Sequence, residues 1–328
     1  MRHTFLGTPP PLREFNQHRF VKILITGSRG FVGDSFGRLA AAEGHEILGV
    51  SRSSQPEPGW PGRHVQADAA STDLAPVIRD FAPDLLLQAA GSASVAASIA
   101  DPIGDFRATA VTLTNVLDGV RRSGGEPLVV FPSSAAVYGN PDVLPVAEDA
   151  ECAPISPYGF HKLSCETFAR EYAVCFGVST VVCRLFSVFG PRQRRLLVSE
   201  LYGQFAGSAE TVQLQGTGNE TRDFLHIDDL SRAILLLTPA APRRACTILN
   251  IATGVETPVF KLAETIRSIV APEKRITARG IARPGDPARW CADISRLRGL
   301  IPGWQPQTLA RALEKTIAQW DAERPPAT

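Results

Sequence analysis

Val21-Lys22-Ile23-Leu24-Ile25-Thr26 runs straight into Gly27-Ser28-Arg29-Gly30-Phe31-Val32-Gly33, and Ser35 to Glu43 has helical composition. That succession predicts a short buried strand, a glycine turn and a helix. The rhythm repeats downstream in His45 to Ser51, His64 to Ala67, Leu74 to Phe81, Asp84 to Ala89, Ile103 to Arg122 and Leu128 to Phe131. Strands alternating with helices predict an α/β fold, a doubly wound parallel sheet of Rossmann type, with ligands received at the carboxyl ends of the strands. After the strand Val178 to Arg184 the alternation weakens, although a further strand is expected at Thr247 to Ile251. The C-terminal half therefore reads as a smaller α/β substrate lid.

The glycine turn is spaced G-x-x-G-x-x-G. Glycines let a backbone approach a pyrophosphate closely, and the helix that follows offers unpaired N–H groups at the positive end of its dipole. Gly27, Arg29, Gly30, Phe31, Val32 and Gly33 are accordingly candidate dinucleotide contacts. A ribose-selecting residue is expected at the end of the second strand, where an NAD site presents a carboxylate. This chain has Arg52-Ser53-Ser54 there. A guanidinium and hydroxyls suit the 2′-phosphate of NADP, with Arg29 adding a second positive charge, so NADP(H) is the expected cofactor and NAD(H) the alternative. Asp68, past the third strand, is placed either to accept from the adenine amino group or to cap a turn.

Ser156-Pro157-Tyr158-Gly159-Phe160-His161-Lys162 predicts a helix start, with Ser156 as cap and Pro157 in the first helical position. Tyr158 and Lys162 then lie on one face, one turn apart. A phenol needs about three pKa units of depression, or about 4 kcal/mol, to titrate near neutrality. A cation roughly 4 Å away in a partly screened site supplies about that much. Ser134, at the end of the strand from Leu128, should share a sheet edge with the glycine turn.

Composition narrows the alternatives. The chain has 328 residues, 44% of them hydrophobic, and a net charge of +1, which gives no broad attraction to nucleic acid or an anionic membrane. No run of about eighteen apolar residues suggests a membrane span. The six cysteines lack a C-x-x-C pair and the histidines lack metal-ligand spacing, so reduced thiols, a cytoplasmic protein and no metal are expected. Residues 1–20, with Pro9-Pro10-Pro11, read as a loose extension.

Together, the glycine turn, Ser133-Ser134-Ala135-Ala136-Val137-Tyr138-Gly139 and Tyr158-x-x-x-Lys162 resemble the extended short-chain dehydrogenase/reductase family, in its nucleotide-sugar branch. Thr221-Arg222-Asp223-Phe224-Leu225-His226-Ile227-Asp228-Asp229 and Arg283-Pro284-Gly285-Asp286 resemble the segments that place arginines on the substrate diphosphate in that branch. The resemblance implies Tyr158 as proton carrier for a sugar oxygen, Lys162 tuning it and touching the nicotinamide ribose, and Ser134 bonded to the same oxygen. It further implies cofactor contacts at Ala89 and substrate contacts at Ser94, Ser187, Arg222, Arg283 and Asp286. The implied layout is a cofactor domain over 21–187 and 226–251, a sugar-nucleotide lid over 188–225 and 252–328, and a homodimer.

Some positions depart from the family pattern. Sugar dehydratases and decarboxylases of this branch carry carboxylates where this chain has Ala135 and Ala136, so elimination chemistry is not expected. Thr109 and Ser187 stand where the family often has Asn. The cofactor turn favours reduction of a 4-keto nucleotide sugar, with a 4-epimerase holding NAD as the alternative. A catalytically silent NADP-binding module and a reductase of small lipophilic ketones are the remaining readings; the Ser134, Tyr158 and Lys162 set and the two phosphate-type arginines speak against them.

Overall fold

The computed structural model describes residues 20–281 and 288–323. In chain order the strands are β1 (Lys22–Thr26), β2 (Glu46–Ser51), β3 (Arg63–Gln66), β4 (Leu85–Gln88), β5 (Leu128–Ser134), β6 (Thr180–Leu185), β7 (Ser187–Phe189), β8 (Thr211–Leu214), β9 (Thr221–Arg222), β10 (Phe224–His226), β11 (Cys246–Ile251), β12 (Thr257–Pro258) and β13 (Arg275–Ala278). The helices are α1 (Phe31–Ala42), α2 (Ala75–Phe81), α3 (Val95–Ala100), α4 (Pro102–Phe106), α5 (Thr112–Ser123), α6 (Pro157–Phe176), α7 (Leu197–Phe205), α8 (Ile227–Ala240), α9 (Val259–Val270), α10 (Ser295–Leu300) and α11 (Leu309–Glu323).

Seven strands form one sheet in the order β11-β6-β5-β4-β1-β2-β3, every neighbouring pair parallel. β1 reads as a continuous apolar run because both its faces are covered: Ile23, Leu24 and Ile25 are buried. Ile23, Ile25 and Phe36 pack with α8 residues on one face, and Leu24, Leu86 and Val129 pack with α5 residues on the other. The chain leaves β1 toward β2 on one side and returns to β4 on the other, so the order reverses between β1 and β4. A crevice at that reversal is where an open α/β sheet receives its ligand.

Short two-stranded pairings, β10 with β7, β12 with β9 and β13 with β8, build the remainder beside the sheet. A third core, including Phe189, Phe205, Leu214, Leu262 and Trp320, holds this part together. β11 does rejoin the large sheet, against β6. The helical stretch expected over Ile103 to Arg122 is interrupted by a π turn at Arg107–Val111. Among the described residues no helix is long and apolar enough to cross a membrane, and no group of three His, Cys, Asp or Glu side chains could hold a metal ion. All six cysteines are free thiols.

Candidate functional site

The carboxyl ends of β4, β5 and β6 open on a cavity of about 800 Å³. Of the residues singled out in the sequence, it gathers Phe31, Val32 and Ala89 on the turn side, Ser134, Tyr158 and Lys162 on its wall, and Ser187 and Arg222 toward the third core. Ser94 is absent from the lining; its hydroxyl accepts from Ala97 N at 3.1 Å and caps α3, while Ser92, Ala93 and Val95 face the cavity. Arg283 and Asp286 lie outside the described residues.

The glycine turn is shaped by contact. Gly27 has φ +69°, and a Cβ there would stand 2.5 Å from Ala90 N; a Cβ on Gly33 would stand 2.4 Å from Gly27 O. Gly30 caps α1 with no side chain over its first turn, leaving N–H groups of that turn without helical partners. These residues fit a dinucleotide pyrophosphate, an anion that needs a bare backbone and a helix N-terminus. Asp68 makes the turn contact, its Oδ1 accepting from Ala70 N at 3.0 Å. Arg29 lies beside a carboxylate: Nε donates to Glu57 Oε1 at 2.8 Å, and Nη1 donates to Gln55 O at 3.0 Å and to Ser53 Oγ.

α6 starts as its sequence dictates, Ser156 Oγ accepting from Gly159 N at 3.2 Å with Pro157 behind it. The backbone of Tyr158 is tied to Ser98 Oγ at 3.1 Å. Lys162 is buried, and its Nζ donates to Pro132 O at 2.7 Å and lies 5.6 Å from the Tyr158 ring centre. Desolvation pushes the Tyr158 phenol up to about 12, against the pull of its hydrogen bond with Ser134. Desolvation likewise lowers the Lys162 ammonium to about 8, opposed by Cys165, Asp105 and Glu166. The expected depression of the phenol is therefore reversed, because desolvation outweighs the hydrogen bond with Ser134 and the nearby Asp105 and Cys165 act in the same upward direction. Among this chain's own groups, burial keeps the proton on Tyr158 at neutral pH.

Several contributors are set by partners far apart in the sequence. Below Ser134, Arg184 Nη2 donates to Glu166 Oε2 at 2.7 Å, and Glu166 Oε1 accepts from Ser133 Oγ at 2.6 Å. Arg184 Nη1 reaches Tyr138 Oη at 2.8 Å, and Tyr138 donates to Asn250 Oδ1 at 2.7 Å. This buried network pins the ends of β5, β6 and β11 under the cavity wall. His161 Nδ1 meets the buried Asp105 carboxylate at 2.6 Å across 56 residues of sequence. Thr109 sits in the π turn with Oγ1 buried and without a hydrogen-bond partner.

On the far side, the guanidinium of Arg222 lies 5.4 Å over the Trp290 ring, which meets Phe186 edge-on at 6.2 Å. Arg222 Nη1 donates to Thr221 O at 2.8 Å. The neighbouring Asp223 is fully buried and accepts from Thr253 N and Oγ1, Gly254 N and Ala292 N. The conspicuous T-R-D-F stretch thus divides its work: arginine lines the cavity, aspartate ties three chain segments together.

Comparison with known proteins points the same way. The profile of the NAD dependent epimerase/dehydratase family matches residues 23–252. The UDP-glucose 4-epimerase of Mycolicibacterium smegmatis is 28% identical over 310 residues, which span 90% of this chain and 97% of that protein. Among solved structures, MoeE5 in complex with UDP-glucose and NAD shares 27% identity at a TM-score of 0.82, over 92% of this chain and 99% of that one. A UDP-glucose 4-epimerase from Stenotrophomonas maltophila, with bound NAD and formylated UDP-arabinopyranose, shares 26% identity at a TM-score of 0.82, over 92% of this chain and 98% of that one.

Proposed function

The chain belongs to the NAD-dependent epimerase/dehydratase family, and from that premise we propose that it is a 4-epimerase of nucleoside diphosphate sugars. One observation carries the reading: Ser134, Tyr158 and Lys162 converge on the wall of the cavity that Arg222 also lines, while Ala135 and Ala136 leave that strand end without the carboxylate that elimination requires. Arg222 is assigned to the substrate diphosphate, which two or more donors of a guanidinium can clasp.

Bound NAD supplies the hydride acceptor and, in the second half of the reaction, the hydride donor. Tyr158 moves the proton at the sugar oxygen and Ser134 bonds that oxygen as its charge changes. Lys162, a cation below pH about 8, is the chain's own group that steadies a Tyr158 phenolate. Phe31, Val32 and Ala89 are assigned to the cofactor and Ser187 to the sugar nucleotide. The NAD named in solved relatives supports NAD(H) over the NADP(H) that Arg52 and Ser53 suggest.

The cofactor half is assigned to 21–187 with 226–251, and the sugar-nucleotide half to 188–225 and 252–328. Ile99, Ile103, Phe106, Phe160, Val174 and Phe176 are exposed along α3 to α6, an apolar face that supports a homodimer through these helices. A second reading, net reduction of a 4-keto nucleotide sugar by NADPH, is favoured by the cationic Arg52 near Ser53. Incubating the protein with UDP-glucose, UDP-galactose and their N-acetyl counterparts separates the two. The epimerase reading expects one C4 epimer to equilibrate with the other without net cofactor consumption, and Tyr158→Phe to slow this by at least about 100-fold. NADPH oxidation dependent on a 4-keto sugar, with no epimer formed, contradicts it.

A further inference from the structure

We propose that Glu57, in the loop after β2, is the residue that selects NAD over NADP. The proposal rests on the reading of the glycine turn as a dinucleotide site. β2 ends at Ser51 and runs into Arg52-Ser53-Ser54, without the carboxylate that commonly accepts from the adenosine ribose at a second strand end. The loop brings one back. Glu57 Oε1 accepts from Arg29 Nε at 2.8 Å, and Arg29 lies inside the glycine turn, between Gly27 and Gly30.

The loop is pinned, so the carboxylate is placed by the fold. Trp60 N donates to Glu57 O at 3.0 Å, and the Trp60 ring fills the space above Gly37 and Gly49, where added Cβ atoms would stand 2.4 Å and 2.8 Å from it. Arg38 holds Pro58 O and Gly59 O, each at 2.8 Å, while Asp34 fixes Arg38 at 3.1 Å. Glu57 is thereby fixed through its own carbonyl and the three residues that follow it.

The charges decide which nucleotide the place accepts. A 2′-phosphate brings roughly two negative charges, by analogy with other phosphomonoesters. To reach Arg29 it must displace Glu57, leaving two anions side by side, or else rely on the exposed Arg52 alone while standing beside the carboxylate. A free ribose brings no charge, and its hydroxyls can donate to a carboxylate. The pair is partly solvated, with side-chain exposures of 38% for Arg29 and 22% for Glu57, so the discrimination is moderate in size.

Calorimetric titration with NAD and with NADP, in the absence of any sugar, tests this directly. The wild-type protein is expected to bind NAD at least about tenfold more tightly than NADP, the ratio that one charge-assisted hydrogen bond can set. Glu57→Ala should strengthen NADP binding by about tenfold, and adding Arg29→Ala to it should remove that gain. An unchanged NAD-to-NADP ratio in Glu57→Ala, or NADP binding by the wild type as tight as NAD binding or tighter, overturns the proposal. Binding of neither nucleotide by folded wild type overturns the underlying reading of the turn, a result distinct from equal binding of both.

Discussion

Lys162 shows how one side chain is set by competing neighbours. Burial lowers its ammonium to about 8, whereas Cys165, Asp105 and Glu166 act to keep the proton on. Since the folded value lies below that of a free lysine, the charge is present at neutral pH and is lost as pH rises through about 8. The turnover rate should therefore fall across that pH in a steady-state profile at saturating cofactor; an equal rate on both sides contradicts the assignment of Lys162 as the cation behind Tyr158. The pairing of Tyr158 with Lys162 was legible in the sequence because helical spacing alone dictates it. The sign of the phenol's shift was not, because desolvation depends on how α6 docks on the end of β5, where Ser134 meets Tyr158 and Phe131 and Pro132 meet Lys162.

At the scale of elements, the glycine turn and the start of α6 follow from local rules that operate within seven residues. Gly27 illustrates the strictness: its φ of +69° and the backbone at Ala89 and Ala90 leave no room for a methyl group. Gly27→Ala is expected to cost at least about 1–2 kcal/mol from the left-handed conformation alone and to abolish NAD binding, measured by urea unfolding and nucleotide titration. Unaltered stability and binding contradict the close approach described for this turn. The parallel, doubly wound character of the sheet was likewise readable from the alternation of apolar runs with helices, whereas the order of its strands was not. The π turn at Arg107–Val111, the Asp105–His161 contact and the return of Glu57 to Arg29 were not, since each depends on where a loop or helix docks.

Across the whole molecule, the cavity is completed by segments more than a hundred residues apart, and Asp223 shows what keeps them together. Its carboxylate accepts four donors from Thr253, Gly254 and Ala292, all at a site without solvent exposure. Asp223→Ala leaves those donors unmatched and is expected to destabilise the fold by about 3 kcal/mol, the cost of buried donors left without an acceptor, measured by chemical denaturation; a loss below about 0.5 kcal/mol, the level of an ordinary surface change, contradicts this role. The sequence marked Asp223 only as part of a motif, because its partners lie 30 and 69 residues away. The claim that joins turn, helix and cavity is that a hydride leaves C4 of a nucleotide-linked sugar and returns to the same carbon. A substrate carrying deuterium at C4, followed by NMR through conversion to its epimer, tests it most directly. Retention of the label at C4 in the product, with no net change in NADH, is the predicted result; loss of the label to solvent, or net consumption of reduced cofactor, contradicts it.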